Sequence, residues 1–142
     1  DFNLSGNYIG VGYTATPYFT LLNHSAGSVS LAATYTLNQA ATSVSFNPSG
    51  DYIATALATA SSPQFTLLNH TTPGTVTLAA NYTLPSTGRS CDFEPGNGNY
   101  IAVGHSGSPF FTLLDHTTPG TVSLAATYTL AAAAFGVAFS PN

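Results

Sequence analysis

The sequence predicts an all-β chain built from a tandemly repeated unit of four short antiparallel strands. Three observations carry this. Near-identical phrases recur at fixed spacing, each phrase has strand-like composition, and turn residues separate the phrases. Pro17, Pro63 and Pro109 lie 46 residues apart and open the same phrase: Pro17-Tyr-Phe-Thr-Leu-Leu-Asn-His24, Pro63-Gln-Phe-Thr-Leu-Leu-Asn-His70 and Pro109-Phe-Phe-Thr-Leu-Leu-Asp-His116. Tyr35 to Phe46, Tyr82 to Phe93 and Tyr128 to Phe139 are each 11 residues apart, so one connection never changes length. Length changes fall only between phrases, as expected of ordered elements joined by surface turns.

The elements follow in order. Tyr8-Ile-Gly-Val-Gly12, Tyr52-Ile-Ala-Thr-Ala56 and Tyr100-Ile-Ala-Val-Gly104 predict one strand, and the Pro17, Pro63 and Pro109 phrases a second. Ser30 to Leu37, Thr77 to Leu84 and Ser123 to Leu130 predict a third, with Thr34-Tyr35-Thr36-Leu37 alternating polar and apolar like a half-buried strand. Val44-Ser-Phe-Asn-Pro48, Cys91-Asp-Phe-Glu-Pro95 and Val137-Ala-Phe-Ser-Pro141 predict the fourth. Strands are therefore expected near residues 8–12, 19–24, 30–37 and 43–48, and twice more downstream. Pro48 to Asp51, Thr72-Pro-Gly-Thr75 and Thr118-Pro-Gly-Thr121 predict turns, because Pro presets its own φ and Gly accepts a positive one. Ala131 to Ala134 favours helix locally, but it occupies the link that is Asn38 to Ala41 earlier, so a loop or strand start is expected there.

Four strands in a period of about 46 residues is the arithmetic of a β-propeller blade. The chain then divides into blade repeats at 1–48, 49–95 and 96–142 of one repeat domain. Phe46-Asn-Pro-Ser-Gly-Asp-Tyr-Ile-Ala54, Asn99-Tyr-Ile-Ala-Val-Gly104 and Phe139-Ser-Pro-Asn142 resemble the core motif of WD40-like repeats. The segment Val103 to Leu114 is similar to repeats in bacteriophage and bacterial WD40-like proteins of unassigned role. The resemblance implies a propeller fold and carries no enzymatic activity. The Trp-Asp and Gly-His pairs of the eukaryotic repeats are missing.

Repetition predicts that Phe46, Phe93 and Phe139 are buried, with Ile9, Ile53, Ile101, Leu22, Leu68, Leu114, Tyr35, Tyr82 and Tyr128, because neighbouring repeats bury their faces on each other. Asp1-Phe2-Asn3 matches the tail of the Phe46 strand, and Val137 to Pro141 is a whole copy of it. Three repeats are fewer than the four to eight blades of a usual ring. Two copies completing a ring, continuation of the same array, or an open filament are the expected solutions.

Composition narrows the partners. One Arg and no Lys among 142 residues cannot neutralise a phosphate backbone, so charge-driven nucleic-acid binding is excluded. No run of about 20 apolar residues exists to span a bilayer, and no basic segment followed by an apolar stretch marks a signal peptide. One Cys cannot form an intrachain disulfide. Eight Tyr and nine Phe with a net charge of only −4 argue against disorder. Only 4% of residues are charged, against about 25% in an ordinary domain, so repulsion between copies is weak and self-association is cheap.

Few residues suggest chemistry. His24, His70 and His116, with Asp115 beside the last, are of metal-ligating type. They occupy equivalent positions in repeats that diverge outward, so turn roles are expected and no metal site. His105 stands alone among Tyr13 and Leu57 equivalents, and is expected to be structural or solvent-facing. Arg89, Cys91, Asp92 and Glu94 replace Thr42, Val44, Ser45 and Asn47 of the preceding unit and form the one charge cluster. In a strand Asp92 and Glu94 share a face and Cys91 takes the other. An ion pair or interface role for Arg89, Asp92 and Glu94 is expected ahead of ligand binding, and Cys91 as a small buried hydrophobe. Nucleophile elbows, phosphate loops and Ser-His-acid contexts are missing, so no catalytic residue and no cofactor are expected. Asn3, Asn23, Asn69 and Asn81 open glycosylation-type triplets, about two or three of which are expected by chance in so Asn- and Ser/Thr-rich a chain, with repetition explaining the excess.

The expected function is a non-enzymatic structural or assembly module of a phage virion or extracellular fibre. Its partners would be further copies, the same array continued, or other virion or fibre proteins. The alternative is a glycan-binding, lectin-like propeller or adhesin. Tyr18, Gln64 and Phe110 differ at one equivalent position, which argues against three identical pockets there.

Overall fold

The computed structural model describes residues 1–141. They form eleven strands in three antiparallel sheets, with no helix among the described residues. The first sheet is β1 (Tyr8–Gly12), β2 (Tyr18–Ser25) and β3 (Ser28–Thr36), in that order. The second is β4 (Ala41–Phe46), β5 (Tyr52–Leu57), β6 (Phe65–Asn69) and β7 (Thr77–Tyr82). The third is β8 (Gly88–Phe93), β9 (Tyr100–His105), β10 (Phe110–Asp115) and β11 (Ser123–Thr129). Every neighbouring pair is consecutive in sequence, because hairpin-length connections leave each strand no nearer partner.

Equivalent residues take equivalent places. Ile9 pairs with Leu22, Ile53 with Leu68 and Ile101 with Leu114. One extra residue bulges the ladder between Leu21 and Leu22, Leu67 and Leu68, and Leu113 and Leu114, which bends the outer part of each sheet in the same way. The Thr-Pro-Gly-Thr segments close as turns in which the Thr75 N–H reaches the Thr72 carbonyl at 3.0 Å and Thr121 reaches Thr118 at 3.2 Å. Gly74 and Gly120 supply the positive φ, 74° and 77°, that these turns require.

The sheets are cut one strand out of phase with the sequence units. β4 closes the first unit of sequence, yet it pairs with β5 of the second sheet, and β8 likewise pairs with β9. A single repeat thus ends inside its neighbour, which ties successive sheets together. At the two extremes this strand is incomplete. Phe2 makes one isolated bridge to Ile9, and the first sheet has three strands instead of four. Residues 131–141, expected to contain the strand Val137 to Pro141, form no ladder. Two of their N–H groups are instead accepted by side chains of β8, Val137 by Ser90 Oγ at 3.2 Å and Phe139 by Asp92 at 2.8 Å, and the Ala134 N–H by the His105 carbonyl at 3.3 Å.

Two apolar clusters fill the spaces between sheets. Phe19, Leu21, Phe46, Ile53, Leu57 and Leu68 lie between the first and second, with Tyr8, Tyr18 and Tyr35 against them. Phe65, Leu67, Cys91, Phe93, Ile101 and Leu114 lie between the second and third, with Tyr52 and Tyr82 against them. The uniform burial expected from repetition holds for Phe46, Phe93, Ile53, Ile101, Leu68 and Leu114. It fails for Tyr35 and Tyr82, which are half-buried, and for several residues of the outer sheets and the tail. Ile9, Leu22 and Phe139 are half-buried, and Tyr128 is 67% exposed because no sheet covers β11 as the second covers Tyr35 and the third covers Tyr82.

Phe93 belongs to the second cluster and is 4% exposed. Phe93→Ala is expected to lower unfolding stability by about 3–5 kcal/mol, since the ring leaves a cavity between rigid sheets. Urea denaturation followed by circular dichroism measures it, and a loss below about 1 kcal/mol would show that the neighbouring sheets collapse into the space.

Candidate functional site

The seam between sheets is where the unusual residues collect. An edge strand such as β4 or β8 has N–H groups on the side away from its own sheet, and these need partners. Short side chains of the preceding sheet supply them. Asp1 accepts the Phe46 N–H at 2.9 Å, Ser45 accepts the Phe93 N–H at 3.2 Å, and Asp92 accepts the Phe139 N–H at 2.8 Å. One turn of the pleat earlier, Ser43 accepts the Cys91 N–H at 3.1 Å and Ser90 the Val137 N–H at 3.2 Å. Asp1, Ser45 and Asp92 are equivalent positions, as are Ser43 and Ser90. The rungs therefore repeat along the molecule.

This divides the charge cluster of the sequence. Asp92 is a seam residue, whose other oxygen accepts the Ser45 hydroxyl at 3.3 Å. Glu94 accepts the Asn99 N–H at 3.2 Å and caps the β8–β9 turn, as Asn3 and Asn47 cap theirs toward Tyr8 and Tyr52. Arg89 lies over the Phe135 ring, 5.5 Å from its centroid, and its Nε is buried without a hydrogen-bond partner. Among the described residues Arg89 makes no ion pair with Asp92 or Glu94, whose carboxylates accept neutral N–H and O–H donors.

The histidines seal the same seams. His24, His70 and His116 each direct Nδ1 at a backbone carbonyl, of Gly6, Gly50 and Thr121, at 2.7–2.8 Å. A carbonyl only accepts, so Nδ1 carries the proton in each. Tyr8 meets His70 edge-on at 4.7 Å across the first seam, and Tyr52 meets His116 at 4.8 Å across the second. The three rings stand on different sheets, and among the described residues no cluster suited to a metal ion occurs. Asp115 accepts both the N–H and the hydroxyl of Thr117, which holds its carboxyl below the usual range, and Asn69 makes the same turn with Thr71.

Two residues inside the third sheet depart from the repeat. Cys91 is buried, which pushes its thiol up to about 12 and leaves it unreactive near neutrality. His105 is fully buried, with Nδ1 on the Gly107 carbonyl at 2.8 Å and Nε2 on the Thr112 hydroxyl at 3.0 Å. Tyr13 reaches the equivalent Thr20 hydroxyl at 2.8 Å, so the imidazole replaces a phenol in an existing contact.

Tyr18, Gln64 and Phe110, whose chemical differences argue against three identical pockets, line neither rim cavity. Gln64 is buried and bonds the Leu84 N–H and the Ala60 carbonyl, while Tyr18 and Phe110 hold left-handed φ values of 72° and 74°. The cavities sit elsewhere, where the β4–β5 and β8–β9 turns meet the loops after β2, β6 and β10. One of about 520 Å³ opens at the first seam and one of about 360 Å³ at the second. The recurrence of Asn, Ser, Asp, Tyr and His at equivalent turn positions was the available signal.

Burial lowers the His105 pKa, the Gly107 carbonyl opposing only in part. The folded state thus favours the neutral ring. As pH falls below about 6.5 the unfolded chain protonates first, so this contribution is present at neutral pH and lost on acidification. The urea midpoint is expected to fall between pH 7.5 and 5, and His105→Leu, the residue that Leu57 supplies in the second sheet, should flatten that slope. An unchanged slope in the variant would assign the pH dependence to other groups.

No known family matches the sequence, and no curated protein matches it. Solved structures do. The β-propeller domain of Cps50 (Swd1) from Myceliophteria thermophila is similar with a TM-score of 0.63 and 16% identity, covering 87% of this chain and 37% of that one. Hydrazine synthase of Kuenenia stuttgartiensis is similar with a TM-score of 0.68 and 10% identity, covering 90% of this chain and 35% of that one. This chain spans little more than a third of either. At these identities the likeness concerns fold alone, and the chain has a β-propeller fold.

Proposed function

We propose that the three sheets are propeller blades built on a repeat of about 46 residues, and that the chain is a non-enzymatic structural module that works by stacking blade on blade. The observation that carries this reading is the rung set of the seams. It occurs between the first and second sheets, again between the second and third, and a third time where residues 134–139 lie against Ser90 and Asp92. The outer side of the third sheet thus repeats the acceptors of the internal seams, Ser90 and Asp92, which here take the N–H groups of Val137 and Phe139. Tyr128 and Phe135, 67% and 72% exposed, supply apolar surface there for a further blade to cover. That blade comes from the same array continued or from another copy.

The near-absence of charge supports the same reading, because Lys and other edge charges that discourage sheet-to-sheet contact are missing. A surface soluble through hydroxyls and amides also suits a particle or fibre outside the cell, and a phage virion is one such setting. The non-enzymatic part rests on side chains with structural commitments: imidazoles held by carbonyls, and a thiol buried among aromatics.

The test is the mass of this 142-residue polypeptide in dilute solution by native mass spectrometry or light scattering. Assemblies of two or more chains are expected at micromolar concentration, and Tyr128→Ser should shift them toward the single chain by removing exposed apolar surface that a further blade would cover. A folded 14.5 kDa monomer would overturn the assembly reading.

A further inference from the structure

The two rim cavities are copies of one another. The first is lined by Asn7 and Tyr8 from one sheet with Asp51, His70, Thr71 and Pro73 from the next. The second is lined by Asp51 and Tyr52 with Asn99, His116, Thr117 and Pro119. Residue by residue these are the same repeat positions: a small amide or carboxylate, a tyrosine, a histidine, a threonine and a proline. Asp51 stands on the ridge between the cavities and lines both.

Their chemistry is selective. The chain's one Arg is engaged with Phe135, and no Arg or Lys lines either cavity. An anionic ligand would therefore meet no countercharge and would face Asp51. An apolar ligand would strip water from amides and hydroxyls without replacing their bonds. What remains is a neutral ligand with many hydroxyls and one less polar face. Such a ligand bonds to carboxylate and amide and rests its C–H face on a tyrosine or proline ring. The groups that would hold it are unspent. The Asp51 carboxylate, the Asn7 and Asn99 amides and the Tyr8 and Tyr52 hydroxyls make no side-chain hydrogen bond among the described residues. The groups behind them are fixed. His70 donates from Nδ1 to the Gly50 carbonyl and accepts the Gly74 N–H at Nε2, which fixes the orientation of the ring in the first cavity wall.

We propose that each seam carries at this rim a binding site for one neutral pyranose unit of a glycan, with Asp51 shared by two successive sites. Repetition makes the surface multivalent, so weak single sites add up along a polymer that presents the same sugar repeatedly. The proposal is independent of assembly and stands whether the chain is monomeric or not.

The test is a ¹⁵N–¹H NMR titration of the isotope-labelled chain with the methyl glycosides of glucose, galactose, mannose and N-acetylglucosamine, and with N-acetylglycine amide as a peptide-like probe. Saturable shifts with at least one glycoside are expected at Asn7, Asp51 and Asn99, with a dissociation constant on the order of 1–10 mM for a ligand of about a dozen atoms. Asp51→Ala should weaken both sites about tenfold or more. Asn7→Ala should weaken the first alone and Asn99→Ala the second alone. None of these side chains makes a hydrogen bond inside the described residues, so the variants should keep the wild-type far-ultraviolet spectrum. Absence of saturable shifts with every glycoside, shifts mapping away from the cavities, a response to the amide alone, or undiminished binding in Asp51→Ala would each overturn the proposal.

Discussion

The structure depends on how an edge strand is satisfied. β4 and β8 each hydrogen-bond one neighbour in their own sheet, and their remaining N–H groups would otherwise face an apolar interior. Asp1, Ser43 and Ser45 meet them from the preceding sheet at 2.9–3.2 Å. Only short side chains with an acceptor fit that span, which explains why Ser and Asp recur at these positions while Phe and Ile recur beside them. A sheet pair without the rungs would have to bury unpaired amides, at about 1–3 kcal/mol each. Polar rungs and apolar clusters therefore belong to one interface: the clusters drive the sheets together and the rungs set their relative height.

Much of this was legible in the sequence. Fixed spacings, turn dipeptides and strand composition gave the strands and the turns between them, because each hairpin is local; the register, with its bulge at the same Leu pair in every sheet, comes from the structure. The phase of the sheets was not legible. A repeat has the same period wherever it is cut, so nothing in the spacing shows that β4 belongs with β5. Tyr128 shows a related limit: its equivalents Tyr35 and Tyr82 are half-buried only because another sheet stands beside them. Burial at such a position is a property of the neighbour, which the residue itself does not encode.

Arg89, Asp92 and Glu94 show how charge misleads in a repeat. Grouped by sign they suggest one site; aligned with their equivalents they separate into a seam rung beside Asp1 and Ser45, and a turn cap beside Asn3 and Asn47. The position, being shared, carries the role, and the charge is one of several ways to fill it. Tyr13 and His105 make the same point inside a sheet, where a phenol and an imidazole each satisfy a threonine hydroxyl. The rim cavities escaped attention for the opposite reason. Their residues look like ordinary turn formers until the seam brings two turns together.

Each seam is tight at a pair of small residues. Gly12 faces Ala41, Ala56 faces Gly88, and Gly104 faces Ala134. A methyl on Gly12 would lie 2.6 Å from the Ala41 methyl, and one on Gly104 3.0 Å from that of Ala134, so each seam has room for a single methyl group. The middle seam holds it on the opposite side from the other two. Sheets nearly identical in sequence could in principle stack in any order, and long tandem arrays are prone to such exchange. Ala56 brought against an Ala41-type strand would place two methyls in the space of one, while Gly12 against Gly88 would leave a void. The side on which one carbon atom sits thus acts as an address, distinguishing the right neighbour from its near-copies.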